Sequence, residues 1–146
     1  MANFSEVEIT YEQVVNLSMV IDKILTWEET PKPIFTFKLK YAAIRTKELI
    51  EPVLVEIKDF WKPIPKFHAY QQKKLHIAEK YDGTEELESK LEEVDDEFSD
   101  AILANEERIK KLNKKVPVNV YKVKQEYVSD VLSGREVVAL KPMVED

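Results

Sequence analysis

The chain has no cysteine, and its 146 residues include only two glycines. The missing thiols exclude a disulfide framework, a thiol nucleophile, an iron–sulfur cluster and Cys-type zinc sites together. Gly83 and Gly134 are too few for a phosphate-cradling loop or a dinucleotide-binding turn, which need several glycines at fixed spacing. Histidine is scarce as well. His68 and His76 stand alone, with no Glu-x-x-His repeat and no third ligand at helical spacing. No apolar run approaches the roughly 20 residues that span a bilayer. The polar, acidic stretch from Met1 to Glu8 lacks the basic-then-apolar order of a secretory signal, so a soluble, reducing setting is expected. Positive charge is in deficit: 22 basic against 28 acidic residues give a net charge of −6. Such a balance disfavours general nucleic-acid binding, which needs clustered Lys and Arg.

What remains is 44% hydrophobic and 34% charged. That mixture suits one globular domain, 1–146, with enough apolar material for a core. Thr10 and Gln13 have the spacing of a capping box. Behind them Val14, Leu17, Ile21, Ile24 and Leu25 recur at helical period, predicting a helix from about Tyr11 to Glu28, ended by Thr30, Pro31 and Pro33. Phe35, Phe37, Leu39 and Tyr41 then alternate with polar residues, predicting a short strand near 34–40. A helix follows to about Trp61, with Pro52 inside it as a kink. An uninterrupted helix from Phe35 is the alternative. Pro63 and Pro65 make a stiff corner before a third helix, about Lys66 to Tyr81, closed by Asp82-Gly83 with Thr84 as the next cap.

Leu87, Leu91, Val94, Phe98 and Ala101 follow spacings of four, three, four and three, and Ile109 and Leu112 extend the seam. One long helix over about 84–114 is expected, acidic at its start and basic at its end as the helix dipole favours. Asn105 falls on the seam. After Pro117 the period returns to two: Val116, Val118 and Val120 face one way, giving a second strand at about 117–123 and pairing it with 34–40. Ser133 and Glu136 form a second capping box, and Val137, Val138 and Leu140 supply apolar contacts. The expected fold is mainly α: an antiparallel helical bundle or hairpin with one long helix and a small two-stranded ribbon.

No catalytic, cofactor or metal constellation emerges. The run Glu92-Glu93-Val94-Asp95-Asp96-Glu97 lacks the turn glycine of a calcium loop, and consecutive carboxylates on a helix point around its axis. It reads as a solvated face or as a docking surface for a basic partner. Lys66, Lys73, Lys74 and Lys80 interleave with Phe67 and Tyr70 on helix 66–81, the material of a small nucleic-acid-binding module. Periodicity, however, assigns those aromatics to the core. Trp61 sits at a proline corner, where tryptophan packs a bend or anchors an interface. The partner-binding candidates are therefore Trp61, Phe67, Glu92, Glu93, Asp95 and Asp96.

The arrangement of Thr10 to Leu25, Phe35 to Leu49, Val94-Asp95-Asp96-Glu97-Phe98, Val116 to Tyr127 and Leu132-Ser133 to Glu145-Asp146 resembles a group of small helical proteins encoded by tailed phages and prophages. The resemblance covers most of the chain and implies a phage origin, hence the host cytoplasm or the virion. It carries over no functional residue. The resulting expectation is a non-enzymatic accessory protein that binds a phage or host protein as an assembly factor, a virion part or an inhibitor of a host machine. Self-association through the long helix is a further expectation, with no membrane partner.

Overall fold

A computed structural model of the protein describes residues 4–27 and 35–145. The expected helix stop at Thr30, Pro31 and Pro33, together with Ile34, lies outside the described residues. The elements run β1 (Phe4–Thr10), α1 (Tyr11–Thr26), α2 (Phe37–Trp61), α3 (Pro65–Lys80), α4 (Leu87–Glu97), α5 (Ser99–Leu112), β2 (Lys115–Tyr121) and α6 (Gly134–Leu140). The fold is mainly α with a small antiparallel ribbon. Packing gathers the chain into two compact units: Met1–Lys58 with Asn113–Asp146, and Asp59–Leu112.

In the first unit both capping boxes form. Thr10 Oγ1 accepts from the Gln13 N–H at 3.1 Å, and Gln13 Oε1 accepts from the Thr10 N–H at 2.8 Å. Ser133 and Glu136 repeat the arrangement at the start of α6. Each box satisfies two of the donors that a helix start leaves free. The ribbon pairs β1 with β2 in the register Phe4↔Tyr121 through Thr10↔Lys115. Val116, Val118 and Val120 share the inner face as expected, opposite Ile9, Val7 and Ser5.

The partner strand is thus not 34–40. Phe37 opens α2, and the backbone from there is helical. The alternation there misleads because only half of it is buried. Phe35 and Leu39, four residues apart, lie on one helical stripe with Ala42, Ala43 and Thr46. Phe37 and Tyr41 point outward, Phe37 at 79% exposure. Thr36 Oγ1 accepts from the Leu39 N–H, a side-chain cap that favours the helix over the strand. Pro52 lies within α2.

Leu17, Ile21, Ile24, Leu39, Ile50, Val120, Leu140 and Met143 are each at most 1% exposed and form the heart of this unit. A two-stranded ribbon is marginal alone, and here α2 holds it: the Tyr121 N–H donates to the buried Thr46 hydroxyl at 2.9 Å. Farther on, Val123 bridges Val144 in parallel, with Val123 N–H on Met143 O and Glu145 N–H on Val123 O.

The second unit packs α3 against α4 and α5. Pro65 occupies the first turn of α3, where its missing N–H costs nothing. Gly83, at φ +73°, supplies the left-handed residue of the following turn. Thr84 is not a cap: its hydroxyl donates back to Tyr81 O, and α4 begins at Leu87 without a side-chain cap.

The expected single helix over 84–114 is two helices. Phe98 interrupts them at φ −107°, ψ 20°, its N–H directed at Val94 O and Asp96 O. No proline or glycine causes the break. The stretch Glu92 to Glu97 sets like charges three and four residues apart, which weakens a helix. At the same place Tyr70, Lys73 and Lys74 of α3 draw Asp95, Glu97 and the Phe98 ring toward them. Val94, Ala101, Asn105 and Leu112 are buried within the chain, while Ile109 is 44% exposed.

Candidate functional site

An open groove of about 1170 Å³ lies in the first unit. Its walls are β1, α1 and α6. Val7 and Ile9 come from β1, Met19 and Val20 from α1, and Val138 and Ala139 from α6. The helical period of α1 turns Val14, Leu17, Ile21 and Ile24 to the core and leaves Met19 outside at 63% exposure. Val138, expected to make apolar contacts in the tail helix, is 70% exposed instead. Two large exposed apolar side chains thus line one depression.

A polar tie lies in the wall of the groove. Lys23 Nζ meets Glu136 Oε2 at 2.6 Å, linking α1 to α6. The Lys23 hydrogen bond first, and the Ser133 backbone N–H next, hold the Glu136 carboxyl below its ordinary value. Glu136 therefore serves both as a cap of α6 and as a strut between helices. Arg135 and Lys141 also line the groove, both exposed, and neither takes part in the described ion pairs. The rim is cationic in a protein that is acidic overall.

A smaller cleft of about 320 Å³ lies where α2 meets the end of β2. Phe4, Tyr121, Tyr41 and Phe37 make a ladder of ring contacts at 5.1, 5.4 and 6.1 Å. The Arg45 guanidinium stands 5.5 Å from the Phe4 ring centre. Lys38 donates to the Tyr127 hydroxyl at 2.9 Å, a bond that pushes the ammonium above its usual pKa. Lys122 and Lys124 complete the lining with Glu145. Flat rings and cations can receive a planar or anionic group, but Lys38 is already tied to its own chain.

The residues singled out from sequence lie in the second unit and do not converge. Asp95 accepts a hydrogen bond from the Tyr70 hydroxyl, and Lys74 stands 3.9 Å away. Glu93 lies 3.6 Å from Lys90 on its own helix. Glu92 and Asp96 point to solvent. Phe67 is half-buried, its ring 5.5 Å from that of Tyr70. Trp61 offers its carbonyl, with that of Phe60, to the Arg108 guanidinium, which closes the end of α2. On the basic helix α3, Lys73 pairs with Glu97 at 2.6 Å, and Lys74 bonds the Tyr70 hydroxyl, which raises its pKa. Both histidines are exposed. Among the described residues no cluster of His, Asp and Glu has the geometry to hold a metal ion. No described helix is long and apolar enough to cross a membrane.

None of the groove residues stands out in the sequence as a site. The available signal was Met19, an apolar residue off the buried stripe of α1, together with Val138 beside the capping box of α6. Comparison with family models, with characterised proteins and with solved structures returns no match.

Proposed function

We propose that the chain is a non-enzymatic accessory protein of phage origin that works by seating another protein in the α1–α6 groove. The observation that supports this reading is the pair of exposed apolar side chains, Met19 and Val138, facing one groove between helices. Burying such surface against a partner is the main favourable term in association, at roughly 25 cal/mol per Å² before ordering costs. The phage origin rests on the sequence resemblance alone, and it directs the search toward virion assembly factors and host machines. The earlier candidates support the reading less well, because Asp95 is committed to α3 and the acidic run points in several directions.

The test is cross-linked capture from phage-infected host extract, wild type beside a Met19→Asp/Val138→Asp double variant. Both positions are exposed, so the variant should fold, with an unchanged circular dichroism spectrum. A protein captured by the wild type and lost by the variant is the expected result; equal capture rejects the groove. The rival, a nucleic-acid module on the basic face of 66–81, has less support because Lys73 and Lys74 already answer carboxylates within their unit. A gel shift at low salt, where phosphate contacts are strongest, would reveal it.

A further inference from the structure

The groove adjoins a backbone edge that has no partner among the described residues, and we infer that the protein it receives docks as a third strand on β1: an extended segment alternating apolar residues with Lys or Arg. The inference rests on the groove reading and gives it a partner chemistry.

The hydrogen-bonding direction follows from the register. The Tyr121 N–H points at Thr46, away from β1, so Phe4↔Tyr121 is a pair without mutual backbone bonds. Antiparallel pairs alternate, so Glu6↔Asn119 and Glu8↔Pro117 are of the same kind. Pro117 has no N–H to give, and it stands at a position where none is needed by β1. The N–H and C=O groups of Phe4, Glu6 and Glu8 therefore face away from β2. None of the described backbone bonds outside the ladder uses Glu6 or Glu8. The far edge of β2, by contrast, is occupied by Thr46 and then by the Val123–Val144 bridge.

The groove lies on the open side. Val7 and Ile9 line it, and the inner residues of β2, Val118 and Val120, do not. A strand laid along β1 would complete its backbone bonds and drop alternate side chains beside Met19 and Val138. Those inward side chains must be apolar to gain from the contact. On the outer face the incoming residues would stand beside Glu6 and Glu8, both exposed, where cations are favoured across strands; the groove cations outside the described ion pairs, Arg135 and Lys141, belong to α6 and the residue after it rather than to the strand edge. The same two glutamates argue against a second copy as the occupant. Pairing β1 with β1 across a two-fold axis would set carboxylates against carboxylates.

The experiment uses four end-blocked fluorescent heptapeptides and measures anisotropy at low salt: alternating Lys and Val, alternating Glu and Val, and the Lys–Val peptide N-methylated either on its Lys or on its Val residues. The Lys–Val peptide should bind about tenfold tighter than the Glu–Val peptide. A Glu6→Lys/Glu8→Lys variant, with an unchanged circular dichroism spectrum, should reverse that order. N-methylation of the Lys residues, whose N–H groups would face Glu6 and Glu8, should abolish binding, and N-methylation of the Val residues should spare it. Equal binding of the two charged peptides, binding indifferent to N-methylation at both residue parities, or no binding at all would overturn the strand mode. So would a dimer in sedimentation that Glu8→Pro dissociates, since it would put a second copy on the edge. The groove reading fails separately: it falls if Met19→Asp/Val138→Asp leaves both peptide binding and cross-linked capture unchanged. It survives if that variant loses capture while the peptides show no strand signature.

Discussion

The two units are stabilised in different ways. In the first, α1, α2, the ribbon and α6 bring together side chains distant in sequence, and Val14, Leu17, Ile21, Leu39, Ile50, Val120 and Leu140 are wholly out of solvent. In the second, the buried set among the described residues is Tyr70, Val94, Ala101, Asn105 and Leu112, two of them small or polar. Its helices are joined further by the Tyr70–Phe98 ring contact and by the pairs Lys73–Glu97 and Lys74–Asp95, each with partly exposed partners. Exposed ion pairs contribute little, whereas apolar burial contributes much. The two units thus differ in apolar burial although both are largely helical.

Four substitutions test the contrast. Leu39→Ala deletes a fully buried side chain and should cost about 2–5 kcal/mol in urea unfolding. A smaller loss would mean that the first unit can collapse around the void, which would narrow the contrast. Val94→Ala in the second unit should cost about 1.5 kcal/mol, and hydrogen exchange should show lost protection confined to 59–112. Equal loss in the ribbon would mean that the two units open together. Tyr70→Phe removes the hydroxyl shared by Asp95 and Lys74 and should cost about 1 kcal/mol by the same unfolding measurement.

The smallest effect concerns Glu136. Its folded pKa is depressed, so its stabilising share is complete above the usual carboxylate value of 4.5 and is lost as pH falls through the lowered value. A carboxyl NMR titration should place Glu136 below that usual value, and Lys23→Met should move it back up. An unmoved midpoint in the variant would show that the tie between α1 and α6 is absent in solution.

Local chemistry was the most legible part of the sequence. Both capping boxes, the buried stripe of α1, the proline start of α3 and the inner face of β2 rest on interactions within a few residues. The errors arose where distance in the chain matters. In the sequence the strand β1 looks like a polar lead because its inner face, Ser5, Val7 and Ile9, is short and mixed. Its partner lies more than a hundred residues away in sequence. The period at 34–40 matched a strand and a helix equally over so short a run. The heptad-like seam was real in spacing, but spacing does not register the charge repulsion and the ties to α3 that accompany the break at Phe98. The groove is not legible for a related reason: Met19 and Val138 come to line one depression only after α6 folds back on α1.

Thr46 shows how much specificity one atom can carry. A valine there would keep nearly the same shape and make the interior greasier, yet it would strand the amide of Tyr121 without a mate. The hydroxyl acts as a latch, choosing one placement of the ribbon over neighbouring placements that would hide as much hydrocarbon. A T46V protein should remain folded while its two strands lose their fixed seat on the helix below.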